Sequence, residues 1–531
     1  MAPNPCQILL LALSGAVLIG GSQCANILGI FTSVSPSHLI IQMSTIRVLA
    51  EKGHNVTVIT TLKPTVTHPN INLIQVPLTR EEENILNEIL AEMTRADNKN
   101  FVLNMISMFH QTGFIFDKLE SVMFDQKIKN LYENTDNKFD LVLLGYFMNG
   151  YQLGLARKLK APVIIVETIL PSVMLSDIIG NPNELPYVPE FTLSVDKGKP
   201  MTFSQRLENV FSNLAFKVAL FLQESRNEKV YKSLYGDDPA MPSYEQMKKN
   251  VSLIFFTSHG ISEGPIRPNV PGAVEIGGIQ IKDDPDTLPK NMENFLNEAK
   301  HGAILLSLGS NMKSSFLRPD LVQKMFYVLS KLKQNVIWKW EDLEKTPGKS
   351  ANILYSKWVP QDDILAHPNL KLFITHAGKG GITEAQYHGK SMLALPIFGD
   401  QPANAESMVK AGFGITLNLV TLEEESFNES LLELLENPKY AQAVGTFSSL
   451  YRDRPLSARE SVLYWSEYVI RHRGAPHLQS PVVHMGFIAS NNLDIYLLVV
   501  IILLISLLLL KILIKFIYKK LINKSQKGKK E

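Results

Sequence analysis

Two stretches of the 531-residue chain open in the same way, and that repetition limits what it can fold into. Asn26 to Thr32 (NILGIFT) is a short apolar run, followed by a loop and a helix-like segment from Ile40 to Lys52. Gly53-His54 then turns the chain into a β-branched strand, Asn55 to Thr60 (NVTVIT). Much later, Ala303 to Leu308 (AILLSL) runs into Gly309-Ser310-Asn311, a helix near Asp320 to Lys333 and a strand from Asn335 to Trp340. Apolar strands separated by helical periodicity are what a parallel sheet covered on both faces requires. Further strands fall at Leu141 to Leu144, Val163 to Val166, Leu253 to Phe256, Leu372 to Thr375 and Met392 to Pro396. The expected fold class is α/β in two globular halves, which suits the length.

The connection from Pro265 to Pro289, rich in proline and glycine, marks the hinge. Its Asp284-Pro285-Asp286 has the form of a metal-holding Asp-x-Asp, but no apolar strand delivers it to a site, and it reads as a solvated loop. Residues 81–130 and 203–234 read as longer amphipathic helices. Phe211 to Leu222, which contains Lys217, is too short to span a bilayer, although its apolar face could rest on one.

The two ends narrow the setting. Ile495 to Leu510 carries no charge, and Ile512 to Tyr518 extends the apolar run past Lys511 with only Lys515 inside it. Crossing about 30 Å of hydrocarbon takes about 20 helical residues, and these two lysines can snorkel to the far headgroups. The last 21 residues hold eight Lys and one Glu, or +7, against +2 for the whole chain, so the body is mildly acidic at −5. Such a body is a poor nucleic-acid binder, and the basic tail places the C-terminus in the cytosol. At the other end, Ile8 to Ile19 has the length of a signal-peptide core, with small residues following near Ser22 to Ala25. Cleavage there removes both cysteines, Cys6 and Cys24, leaving no thiol, disulfide or cysteine-bound metal. The final Lys527-Gly528-Lys529-Lys530-Glu531 is similar to a dilysine signal for return to the endoplasmic reticulum.

The segment FITHAGKGGITEA, residues 373 to 385, carries the chemistry. A strand ends in Thr375-His376, three glycines follow (Gly378, Gly380, Gly381), and a helix opens. Bare amides at a positive helix end suit a phosphate. The spacing is neither G-x-G-x-x-G nor the P-loop pattern, so dinucleotide and Walker-type readings do not fit.

The longer segment from Lys357, KWVPQDDILAHPNLKLFITHAGKGGITEAQYHGKSMLALPIFGDQPANA, resembles the signature of the UDP-glycosyltransferase family, in its animal, insect-like, membrane-anchored branch. Ser37-His38, Phe139-Asp140-Leu141-Val142, Tyr187-Val188-Pro189, Ser258-His259, Ile276-Gly277-Gly278, Ser307-Leu308-Gly309-Ser310 and the tail anchor match as well, so the resemblance covers Asn26 to Lys520. It implies the GT-B fold: a signal peptide (1–25), an acceptor-binding Rossmann-like domain (26–275), a UDP-sugar-binding Rossmann-like domain (276–480), a transmembrane helix (494–518) and a cytosolic basic tail (519–531). It also implies a single-pass protein of the endoplasmic reticulum membrane with a lumenal active site.

Each implied donor residue has a physical reason. Trp358 offers an indole face for uracil, worth about 1–3 kcal/mol per stacked base. Gln361 hydrogen-bonds the nucleoside edge or a ribose hydroxyl, and Glu384 accepts from the ribose. Ser310, His376 and the amides through Gly378 and Gly380 hold the diphosphate. Asp400 and Gln401 read the sugar's hydroxyls. Donors aimed at a leaving UDP stabilise the charge that grows there, so no metal and no cofactor is expected.

His38 occupies the family's base position, and a neutral imidazole suits removal of an acceptor proton. The family pairs it with an acid in Phe-Asp-x-x-x-x-Asp, but here that slot is Gly145. Glu167, at the end of the next strand, is the nearest replacement by topology. Two further departures are Ala377, where the family usually has Gly, and Gly380, where a polar residue is common. The expected activity is inverting transfer of a hexose, glucose by preference, to a hydroxyl of small lipophilic acceptors. The alternative is a catalytically impaired member that binds nucleotide or lipophilic ligand without efficient transfer. The acceptor region, 60 to 240, is where the resemblance is thinnest. Of the sequons at Asn55, Asn250, Asn428 and Asn523, a buried strand and a cytosolic position disfavour the first and last, leaving Asn250 and Asn428 for glycans.

Overall fold

The computed structural model describes residues 24–95, 113–168, 173–190, 193–195, 198–260 and 266–527. The chain divides into two compact units, Met1–Gln479 and Ser480–Glu531. Residues 1–23 of the expected signal peptide and the end of the dilysine signal lie outside the described residues.

The first unit is built on two parallel sheets. The first contains β1 (Asn26–Phe31), β2 (Asn55–Thr60), β3 (Ile71–Gln75), β4 (Leu141–Tyr146), β5 (Val163–Glu167), β6 (Val251–Phe256) and β7 (Ala273–Glu275). Its order is β3-β2-β1-β4-β5-β6-β7. The second contains β8 (Ala303–Ser307), β9 (Asn335–Lys339), β10 (Ile353–Ser356), β11 (Leu370–Thr375), β12 (Ser391–Ala394) and β13 (Gly414–Thr416), in the order β10-β9-β8-β11-β12-β13. Each order runs outward one way, returns to its first strand, and runs out the other way. The strand order therefore reverses between β1 and β4 in one sheet and between β8 and β11 in the other. In open parallel sheets, ligands bind beyond the carboxyl ends of the strands at that switch.

Alternation along the strands builds the cores. Ile27, Leu141, Leu143, Ile164 and Val166 pack with Leu39, Met43 and Ile46 of α1 (Pro36–Glu51) on one face of the first sheet. Leu28, Val142, Leu144, Val163 and Ile165 pack with Val230 and Tyr231 of α2 (Phe203–Tyr235) on the other. The first helix begins before its apolar pattern does, because Pro36 has the fixed φ of a helical first turn and needs no amide partner there. The second begins at a capping box, Thr202 with Gln205. Its early turns leave Phe203, Phe211, Phe221 and Leu222 exposed, matching the apolar face expected from Phe211 to Leu222.

One helix departs from the expected division. Ala458, Val462 and Val469 of the segment Ala458–His472 belong to the α1 core of the first sheet, although they follow the second sheet in sequence. Arg459 pairs with Glu51 of α1 there. Amphipathic spacing specifies an apolar face but not the partner that covers it.

In the second unit, Leu493–Lys527 forms a single helix. Its portion Leu493–Asn523 is 31 residues long with a mean hydropathy reaching 3.4 and is unburied, enough by length and composition to cross a membrane.

Candidate active site

Thr375 pairs with Ser307 in register, so the loops leaving β11 and β8 start side by side at the switch point of the second sheet. His376 enters the space between them. A Cβ on Gly309 would lie 2.5 Å from its Cε1, and a Cβ on Gly378 would lie 2.5 Å from its Nε2. Gly309 also has φ +86°, which disfavours any side chain. The imidazole is thus held in a slot that only glycine on both walls permits. Its Nδ1 is buried with no hydrogen-bond partner. Burial, and secondarily the charge of Lys339, push its pKa down to about 4, so the ring is neutral at physiological pH. Lys339 Nζ donates to the Gly309 carbonyl at 2.9 Å and to Glu341 at 2.9 Å.

Ala377, fully buried, stands in the left-handed region at φ 62° where glycine costs less. Its turn delivers the chain into α3 (Lys379–Tyr387), whose cap Gly378 offers no side chain to the first-turn amides. That first turn stands at the positive end of the helix, beside His376. A Cβ at Gly380 would meet nothing closer than Gln280 Nε2 at 3.8 Å, so glycine is not sterically required there. Ser310 follows Gly309 on the adjoining loop and is half-buried.

Further along α3, Glu384 accepts from Gln361 Nε2 at 2.6 Å. The carboxyl is buried, and desolvation, then the nearby Asp362, push its pKa up to about 8. Trp358, in the loop after β10, keeps 45% of its surface exposed. Lys339 Nζ lies 5.8 Å from its ring centroid.

Asp400 precedes α4 (Gln401–Lys410), accepts from Asn404 Nδ2 at 2.6 Å, and has its pKa raised by burial. Gln401 Oε1 accepts from the amides of Ile397 and Phe398, leaving its amide nitrogen to offer to a hydroxyl. Asn404 Nδ2 also reaches the Ala377 carbonyl at 3.2 Å, tying the Asp400 turn to the His376 loop. The sequence reading passed over Asn404; its spacing of four from Asp400 on one helix was the available signal.

At the switch point of the first sheet, His38 lies in the first turn of α1, half-buried. Desolvation pushes its pKa down to about 4. The Phe147 ring stands 6.0 Å away and stacks in turn on Phe116. The two halves meet beside it: Ser35 Oγ donates to Asn311 Oδ1 at 3.0 Å, and Asn311 Nδ2 donates to Ser37 Oγ at 3.2 Å. One residue past Ser310, the loop after β8 is thus pinned to the residue before His38.

Gly145 shares the alternation row of Leu141 and Leu143, which faces α1. Glu167 ends β5 in the row of Val163 and Ile165, which faces the other layer. Its Oε1 accepts from the Thr168 amide, and its charge acts on Tyr146. Strand alternation places Glu167 on the face of the sheet opposite the one α1 covers.

Lys282 pairs with Asp286 and Asp363, while Asp284 is exposed, so the Asp-x-Asp is a solvated turn. Among the described residues, no three His, Cys, Asp or Glu side chains gather to hold a metal. Asn250 is exposed before β6, whereas Asn428 is half-buried on a helix. Asn55, expected to be shielded, is itself exposed at the start of β2 and bonded to Asn26.

Residues 27–528 match the model of the family described as UDP-glucoronosyl and UDP-glucosyl transferase. The chain is 35% identical over 478 residues to UDP-glycosyltransferase UGT5 of Dactylopius coccus, covering 88% of each. It is 32% identical over 479 residues to UDP-glucosyltransferase 2 of the same organism, covering 89% of each. Among solved structures, the glycotransferase of kitacinnamycin superposes with a TM-score of 0.52 at 17% identity, over 85% of this chain and 99% of that one. That likeness shows the fold, GT-B.

Proposed function

The chain belongs to the UDP-glucoronosyl and UDP-glucosyl transferase family and is a UDP-glycosyltransferase, and we propose that it moves glucose from UDP-glucose to a hydroxyl of small lipophilic acceptors. His38 Nε2 or Nδ1, neutral at physiological pH, takes the acceptor's proton. The acceptor oxygen attacks the anomeric carbon while its bond to UDP breaks on the opposite side, so the configuration inverts. The electron pair leaves with UDP. Negative charge grows on that diphosphate as the bond lengthens. The amides opening α3, with His376 and Ser310, face it, and fixed donors aimed at developing charge lower the barrier more than donors that must reorganise. Trp358 stacks on uracil, Gln361 and Glu384 take the ribose, and Asp400 with Gln401 read the sugar's hydroxyls. No step calls for a metal.

The observation that carries this reading is the His376 slot. Two glycines are held against an imidazole whose Nδ1 has no partner, at the N-terminal end of a helix. Glucose as donor is supported by the likeness to a relative named UDP-glucosyltransferase. We place the enzyme in the endoplasmic reticulum membrane, anchored by its terminal helix, with the site in the lumen and the lysine tail in the cytosol. An impaired, ligand-holding role is favoured by the glycines at 145 and 380. Membranes containing the protein, assayed with a panel of phenols and alcohols against UDP-glucose and UDP-glucuronate side by side, decide the matter. Glucoside formation supports the proposal, and UDP binding with no transfer to any acceptor rejects it.

A further inference from the structure

Gly145 leaves room above β4 on the face covered by α1, and that room is filled. A Cβ built on Gly145 would lie 2.3 Å from Gln42 Nε2 and 2.6 Å from its Cδ. Gln42 is only 2% exposed, and its Oε1 is buried without a hydrogen-bond partner. An oxygen left unsatisfied in the interior is costly, so its burial calls for an explanation. Gln42 lies four residues after His38 on α1, one turn along the same face, where side chains of a helix meet. A side chain at 145 would displace the amide of Gln42 from the place it takes here.

We infer that Gln42 is the positioning residue for His38, doing from the base's own helix what a carboxylate on β4 has no space to do here. The inference rests on the reading of His38 as the base. Gln42 Oε1 makes no hydrogen bond to the imidazole in this structure; once the ring turns toward it, an amide oxygen would accept from one N–H and so fix the tautomer, leaving the second ring nitrogen bare for the acceptor's proton. Being uncharged, it offsets the imidazolium less than a carboxylate does. The arrangement therefore keeps orientation and gives up part of the charge stabilisation. Glu167 does not compete for this role, since it lies on the other face of the sheet.

The test uses the full chain in membranes with UDP-glucose and 4-nitrophenol, measuring kcat, both KM values and thermal stability. Gln42→Leu keeps the volume and removes the acceptor atom. It is expected to lower kcat by about 10- to 100-fold, the range typical of lost orienting partners, while KM for both substrates stays within about twofold. Gln42→Glu puts a carboxylate at the same place and is expected to turn over at least as fast as the parent. The inference is overturned if Gln42→Leu keeps the parent's kcat, or if Gln42→Glu loses as much as Gln42→Leu. Should Gln42→Leu fail to fold, Gln42→Ala with and without Gly145→Asp gives the same answer. A gain in kcat on adding the acid supports it, and no gain rejects it. His38→Ala separates the two readings. If that variant still turns over, the base assignment itself is wrong; if it is dead while Gln42→Leu is unaffected, only the role of Gln42 falls.

Discussion

The amide of Gln361 donates to the carboxylate of Glu384 at 2.6 Å, joining the short helix Gln361–Ala366 to the helix that opens beside His376. Burial holds the Glu384 pKa up at about 8, so much of the ligand-free protein carries a proton there at neutral pH. Folding raises this pKa from 4.5, which makes the group's contribution to stability full below about 4.5 and lost as pH rises through about 8. Ribose hydroxyls donate, and donors favour the carboxylate, so binding should expel the proton. Calorimetry of UDP-glucose binding in buffers of differing ionisation enthalpy is expected to show release of close to one proton at pH 7, with affinity rising toward pH 8. Glu384→Gln abolishes the release. No proton release by the parent rejects this role for Glu384.

Gly309 and Gly378 are expected to tolerate no side chain. Alanine at either position drives the His376 ring from its slot, and at 309 it also pays the strain of a positive φ. Each substitution should raise the UDP-glucose KM at least tenfold and cost about 1–3 kcal/mol of stability. By contrast, Gly380→Ala meets open space and should change stability by less than about 1 kcal/mol, the helix-propensity difference between the two residues. Thermal melts and donor titrations of the three variants check the ordering.

Asn311 binds both Ser35 and Ser37, so it sets how the turn carrying His38 stands against the loop after β8. Asn311→Ala removes two hydrogen bonds, each worth about 0.5–1.5 kcal/mol, at a site that contacts neither substrate's reacting atoms in the proposed reading. The expected result is a loss of kcat of about tenfold with the affinity for UDP unchanged. A normal kcat shows that the halves align without this link.

Much of this site is legible in the sequence because its motifs lie where strands stop. Apolar runs at Ile27, Leu141, Ala303 and Leu370 locate the strands. The glycines at 309 and 378 mark where backbone must come close to something, and His376 is that something. What the sequence does not disclose is orientation across a face. Glu167 and Gly145 end neighbouring strands, yet one side chain position looks toward α1 and the other away. Gln42 is hidden for the same reason, since an amide inside an apolar helix face looks like an ordinary core polar residue until Gly145 is seen beneath it. The return of Ala458–His472 to the first sheet's core is likewise a tertiary choice that no local pattern specifies.

The central claim is that His376 and the helix end beside it hold the departing diphosphate without a divalent ion. Turnover of UDP-glucose and 4-nitrophenol by the parent and by His376→Ala, each in excess EDTA and in excess magnesium, tests it directly. The account predicts one parental rate in both conditions and a loss of at least about 100-fold in the variant, the scale expected when a donor to developing charge is removed. A parent silenced by EDTA, or a His376→Ala variant turning over normally, contradicts it.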